Sequence, residues 1–106
     1  MSKFLITGDK GFVGMETKKV LEAHGHQWVG FDLMDGYDIR DMAQFQAMVS
    51  THNPTAILHL AAIARFADAD KDPQLAWETN VLGTMNVMRV AGMFHKPLVY
   101  ASTGSV

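Results

Sequence analysis

"KFLITGDKGFVG", residues 3–14, decides the reading of this chain. Its first half is a short apolar run that stops at glycine, the pattern of a buried strand. Its second half spaces Gly8, Gly11 and Gly14 ahead of a helical pattern over residues 12–24. In that pattern Phe12, Val13, Val20, Leu21 and Ala23 are apolar while Glu16, Lys18, Lys19 and Glu22 are polar, and Gly25 follows as a helix-ending residue. A strand, a glycine loop and a helix in that order have a physical use. Gly8 permits the tight turn, Gly11 lets the main chain approach a ligand, and Gly14 lets the helix lie close to the sheet. The unbonded amides around Phe12 and Val13, with the positive end of the helix behind them, suit a diphosphate.

Outward from this stretch, "QWVGF" over residues 27–31 reads as a second strand, and Asp32 stands at its end. An acid about 20 residues beyond the glycines, at the end of the next strand, turns a weak glycine pattern into a dinucleotide-binding fingerprint. Its carboxylate accepts from a ribose 2′-hydroxyl and repels a 2′-phosphate, so the expected cofactor is NAD rather than NADP. "DLMDGYDIRD", residues 32–41, is rich in turn formers, with a brief edge strand expected at 37–39. Residues 42–51 form a short amphipathic helix broken at Asn53 and Pro54, and "AILHLAA", residues 56–62, is a third continuous apolar strand. A polar segment leads to Pro73, which suits a helix start; a long helix then spans 73–93, and a last strand covers 97–101.

Strands alternating with helices imply right-handed crossovers and a parallel sheet covered on both faces. The continuous apolar character of the strands fits that burial. The expected fold class is therefore α/β, a doubly wound parallel sheet of the NAD(P)-binding Rossmann type, in order 3-2-1-4-5 with the edge strand counted third. The 106 residues are expected to make one domain, 1–106, a sheet truncated after the fifth strand, with no separate substrate domain expected within them.

Composition narrows the function classes. Formal net charge is −2 with acids and bases interspersed, so nothing favours nucleic acid or an anionic membrane as a partner. No apolar run approaches the roughly 18 residues of a membrane helix, and no leader peptide is expected. The absence of cysteine excludes disulfides and thiolate metal sites and fits a cytoplasmic protein.

Taken together, "LITGDKGFVG", "GFDL", "DIRD", "ILHLAA", "TNVLGTMNV" and "VYASTGSV" resemble the extended short-chain dehydrogenase/reductases, the NAD-dependent sugar-nucleotide epimerase/dehydratase group, in register along the whole chain. The resemblance implies that Phe12 and Val13 face the pyrophosphate, that Asp32 and Leu33 hold the adenosine ribose, and that Asp38 and Ile39 contact the adenine. It implies that Leu60, Ala61 and Ala62 line the cofactor cleft with Asn80 nearby, and that Thr103 is the catalytic hydroxyl that bonds the reacting sugar oxygen of a nucleotide sugar. Two departures stand out. Asp9 and Lys10 replace the small residues usual after the first glycine, so Asp9 is expected to face solvent with Lys10 partly offsetting its charge. The stretch between Asp32 and Asp38 is also short.

The family's proton transfer uses a tyrosine with a lysine four residues later on the same helix face, where the ammonium lowers the phenol pKa. Here Tyr37 is followed at that spacing by Asp41, and Tyr100 by Gly104. The expectation is a chain that binds the dinucleotide without complete catalysis alone. Its alternatives are an epimerase, dehydratase or reductase completed by another chain, and a non-enzymatic oligomeric scaffold with a vestigial pocket. The helix 73–93 presents Trp77, Val81, Met85 and Met88 as an apolar face, and the strand 97–101 ends the sheet, so a homo-oligomer through either is expected. No metal site is expected. His24 and His26 lack a third ligand nearby, and Asp68, Asp70 and Asp72 lack the glycine and glutamate of a calcium loop. His59, inside a strand, is expected to be a packed, hydrogen-bonded core residue.

Overall fold

A computed structural model describes residues 2–60, 74 and 78–100. Strand β1 (Lys3–Thr7) leads through the glycine loop to helix α1 (Phe12–Ala23), then to β2 (Gln27–Phe31). A single turn of 3-10 helix over Leu33–Asp35 precedes α2 (Met42–His52) and β3 (Ala56–His59). A π-helical turn, Glu78–Leu82, runs into α3 (Gly83–Met93), and β4 (Leu98–Tyr100) closes the described chain. The strands form one parallel sheet in the order β2-β1-β3-β4.

Register assigns the two faces. Leu5 lies opposite Val29 and Ile57, and Ile57 opposite Leu98, so these side chains share one face. There Leu5, Phe31 and Ile57 pack with Phe45 and Val49 of α2 and with Val87, Val90 and Ala91 of α3, forming the main core. The other face carries Trp28 and Gly30, and α1 lies across it, with Trp28 Nε1 donating to Glu22 at 2.9 Å. Helices thus cover both faces, which makes the sheet doubly wound. Ends are set locally: Asp41 caps α2 by accepting from the Gln44 amide, and α1 stops as Gly25 turns left-handed at φ 76°.

The edge strand expected at 37–39 does not form, so the sheet has one strand fewer on that side. The reason lies in where the backbone groups go. The Tyr37 amide donates to the Asp32 carbonyl, the Asp38 amide to Gln44 Oε1, and the Arg40 amide to Asp38 Oδ1. Asn86, buried on α3, donates from Nδ2 to the carbonyls of Ile39 and Arg40 at 3.0 and 3.1 Å. These bonds fold the segment over the end of α3 rather than along β2. Ile39 then drops into the core, and a side chain at Gly83 would collide with it. Ala61, Ala62, Ala101 and Thr103 lie outside the described residues. The long helix is described at Gln74 and from Glu78, and it is not uniform, since its π-helical turn includes Asn80.

Candidate functional site

The site sits at the carboxyl ends of β1 and β2. Gly8, at φ 70°, makes the turn out of β1, and its amide donates to the Phe31 carbonyl at 2.9 Å, binding the loop to the end of β2. Gly11 precedes α1 and offers no side-chain cap, and α1 has no acidic residue in its first turn. The first helical bond runs from the Met15 amide to the Gly11 carbonyl, so the amides of Phe12, Val13 and Gly14 precede it. Gly11 has an ordinary φ of −74°, and a Cβ there would touch only the Gly8 carbonyl at 3.4 Å. Nothing within the described chain therefore demands glycine at position 11. Phe12 is 82% exposed beside this mouth, and Val13 and Leu33 are exposed too.

Asp32 is aimed at the loop. Its Oδ2 accepts from the Lys10 amide at 2.9 Å and its Oδ1 from the Met34 amide at 2.8 Å. The two bonds hold the carboxylate between the glycine loop and the chain leaving β2, and each oxygen keeps a lone pair free to accept a further hydrogen bond. Lys10 reaches past it to Asp35, whose hydrogen bond raises the lysine pKa. Asp38 is engaged by the Arg40 guanidinium, which holds its carboxyl below the usual range. Ile39 turns its side chain into the core. Leu60 is buried just beyond β3, its amide donating to the Thr7 carbonyl and hydroxyl. Asn80 has a buried Oδ1 with no partner among the described residues, an acceptor left for something else. His59 is fully buried between Thr7 Oγ1 and Thr84 Oγ1, at 2.6 and 2.9 Å. It is the packed histidine its place in a strand suggests. Among the described residues no three His, Cys, Asp or Glu side chains gather as a metal site, and no helix is long and apolar enough to cross a membrane.

Asp9 corrects the sequence reading. It is 2% exposed and turned inward, against β2, where a Cβ at Gly30 would overlap its carboxylate. Its ionic partner is Lys18 of α1, Nζ to Oδ2 at 2.7 Å, rather than Lys10. The Lys18 ammonium also stands 4.3 Å from the Trp28 ring centroid. A glycine in mid-strand, which weakens a strand unless another group must come close, is the sequence signal for this arrangement.

Comparisons with known proteins identify what the chain is similar to. Residues 4–106 match the family model described as "NAD dependent epimerase/dehydratase family". The chain is 32% identical over 103 residues to a UDP-glucose 4-epimerase of Rhizobium meliloti, an alignment covering 85% of this chain and 31% of that protein. It is 28% identical over 106 residues to a GDP-6-deoxy-D-mannose reductase of Pseudomonas aeruginosa, covering 98% of this chain and 34% of that one. Among solved structures, the UDP-glucose 4-epimerase of Thermus thermophilus in complex with NAD superposes with a TM-score of 0.84 at 28% identity, over 94% of this chain and 37% of that one. The dTDP-4-dehydrorhamnose reductase of Bacillus anthracis in complex with NADP gives 0.81 at 29% identity, over 93% and 35%. The chain thus spans about a third of the length of these relatives. With a glycine loop at an uncapped helix mouth, an acid fixed across from it and a family match along nearly all its length, the chain belongs to the NAD dependent epimerase/dehydratase family.

Proposed function

We propose that these 106 residues bind NAD, chiefly through its adenosine diphosphate half, as the dinucleotide-binding part of a protein acting on a nucleotide sugar. The observation that carries this is Asp32, its carboxylate pinned by the Lys10 and Met34 amides beside the open end of α1. In this reading the amides of Phe12 and Val13 hold the diphosphate, and Asp32 with Leu33 holds the adenosine ribose. Asn80 offers its side-chain oxygen, which has no partner among the described residues, to the far half of the cofactor. Bound NAD would supply a hydride acceptor and donor. The chain's part is to orient the dinucleotide and exclude water from one wall of the cleft. Thr103 belongs to the proposal as the hydroxyl that bonds the sugar. With no tyrosine–lysine pair at four-residue spacing in the sequence, the proposal is binding without complete turnover by these residues alone.

Calorimetry with NAD and NADP tests it. NAD is expected to bind more tightly than NADP. Asp32→Ala removes charge-assisted hydrogen bonds of about 1.5–3 kcal/mol, so NAD affinity is expected to fall by roughly 10- to 100-fold and the preference over NADP to vanish. No binding of either dinucleotide to the unmodified chain would overturn the reading.

Self-association is part of the same proposal. Met85 and Met88 of α3 are exposed, as are Val99 and Tyr100 of β4. Sedimentation velocity is expected to show a concentration-dependent dimer that Met85→Lys with Met88→Lys dissolves; a single monomeric species at high concentration would count against it.

A further inference from the structure

The acid that departs from the family's usual small residue is placed where it ought to do harm. Asp9 lies inside the loop meant for an anionic diphosphate. Its main chain packs directly beneath the first turn of α1, since a Cβ at Gly14 would come 2.5–2.6 Å from Asp9 backbone atoms. A unit charge this close to the helix mouth, in a place water does not reach, is felt by any anion held there. The structure supplies the remedy. Lys18 follows Gly14 by one helical turn, on the same side of α1, and brings its ammonium under the mouth to within 2.7 Å of Asp9 Oδ2. Both groups are shielded, the side chains being 3% and 12% exposed, and Trp28 covers the ammonium from the sheet side. Asp9 Oδ1 has no hydrogen-bond partner among the described residues, and Lys18 is the cation in direct contact with this carboxylate, Lys10 acting on it only from farther off.

We infer that Lys18 is a positioning and charge-compensating residue for the dinucleotide: its buried pair with Asp9 cancels the acid beneath the phosphate loop and fixes the loop to α1. This rests on the assignment of the helix mouth to a diphosphate, and it adds a residue that the glycine motif does not contain. Lys18 touches no ligand in this scheme and acts through Asp9 and the loop. The three positions belong together, because Asp9 needs the cation of Lys18 and the missing side chain of Gly30.

The test uses charge sign, which a purely structural tie would not reveal. Affinities of ADP and adenosine are measured by NMR titration for the unmodified chain and for Lys18→Met, Asp9→Asn and the double variant. Lys18→Met leaves the carboxylate uncompensated, and ADP is expected to weaken about tenfold relative to adenosine. Asp9→Asn leaves the ammonium unopposed, and ADP is expected to tighten severalfold relative to adenosine. The double variant is expected to return the ratio to within about threefold of the starting value, and Lys18→Arg to keep it. Shifts of the same sign in both single variants, or a ratio that neither changes, would overturn the inference. If Lys18→Met does not fold, Asp9→Asn alone decides: a rising ADP-to-adenosine affinity ratio supports the inference, and an unchanged or falling one overturns it. Failure of the unmodified chain to bind ADP or NAD would instead remove the dinucleotide reading itself, a result separate from any of these.

Discussion

Gly14→Ala is expected to lower the stability of the chain by about 2–3 kcal/mol and its Tm by roughly 10–15 °C, with dinucleotide binding lost at the same time. On helix propensity alone the substitution should stabilise, since alanine is about 1 kcal/mol better than glycine inside a helix. Packing reverses the sign. The new methyl would stand 2.5 Å from the Asp9 carbonyl oxygen and 2.6 Å from its carbon and Cα, where contacting atoms ordinarily lie at about 3.5–4.0 Å. Those are backbone atoms of the loop, so no side-chain rotation relieves the clash. Either α1 rises from the sheet, breaking the Lys18–Asp9 pair, or the loop shifts and carries the Lys10 amide away from Asp32. Gly92→Ala in α3 is the matched control. A Cβ there meets nothing within 4 Å, so this change is expected to stabilise by up to about 1 kcal/mol. Urea unfolding of both variants, with NAD titrations alongside, measures the contrast. Equal effects at the two glycines would refute the packing argument.

The second large effect is a loss of stability in mild acid that belongs to one side chain. His59 is fully buried, and its burial pushes the imidazole down from 6.5 to about 4. Above pH 6.5 the ring is neutral in both folded and unfolded chains, and it contributes no pH dependence. As pH falls from 6.5 toward 4, the unfolded chain binds a proton at this ring that the folded chain refuses, so stability declines. A gap of that size corresponds to roughly 3 kcal/mol by pH 4, at about 1.4 kcal/mol for each pH unit. His59→Asn is expected to be less stable at pH 8 through lost packing, yet to show a flatter decline between pH 6.5 and 4.5. Asp38 does not confuse that window. Its carboxyl lies below 3.8, so the stability it contributes is lost only in stronger acid. Parallel slopes for the two proteins between pH 6.5 and 4.5 would exclude His59 as the source.

Some of this architecture is legible in the local pattern and some is not. The strand–glycine–helix unit declares itself because apolar runs and glycines at fixed spacing have few other uses, and it carries Asp32 to the end of β2 with it. Burial of His59 is legible in the same way, since a lone histidine in a continuous apolar run has to be inside. The segment 37–39 misleads. Tyr37, Asp38 and Ile39 alternate as a strand would, but a strand exists only if a neighbour takes its amides and carbonyls. Asp32, Gln44 and Asn86 take several of them instead. The inward turn of Asp9 misleads for a like reason. An acid next to a glycine loop reads as solvent-facing until the empty side-chain position at Gly30 and the cation at Lys18 are brought beside it.

By itself the amino-acid sequence determined the periodicities, and with them a doubly wound parallel sheet, a glycine loop at a helix mouth and an acid across from it. These follow from steric and hydrophobic rules that act between near neighbours along the chain. The tertiary structure alone decided which charges meet beneath that loop and which backbone groups are free to pair as an edge. Those outcomes depend on partners that are distant in sequence and adjacent only once β1, β2 and α1 have packed together.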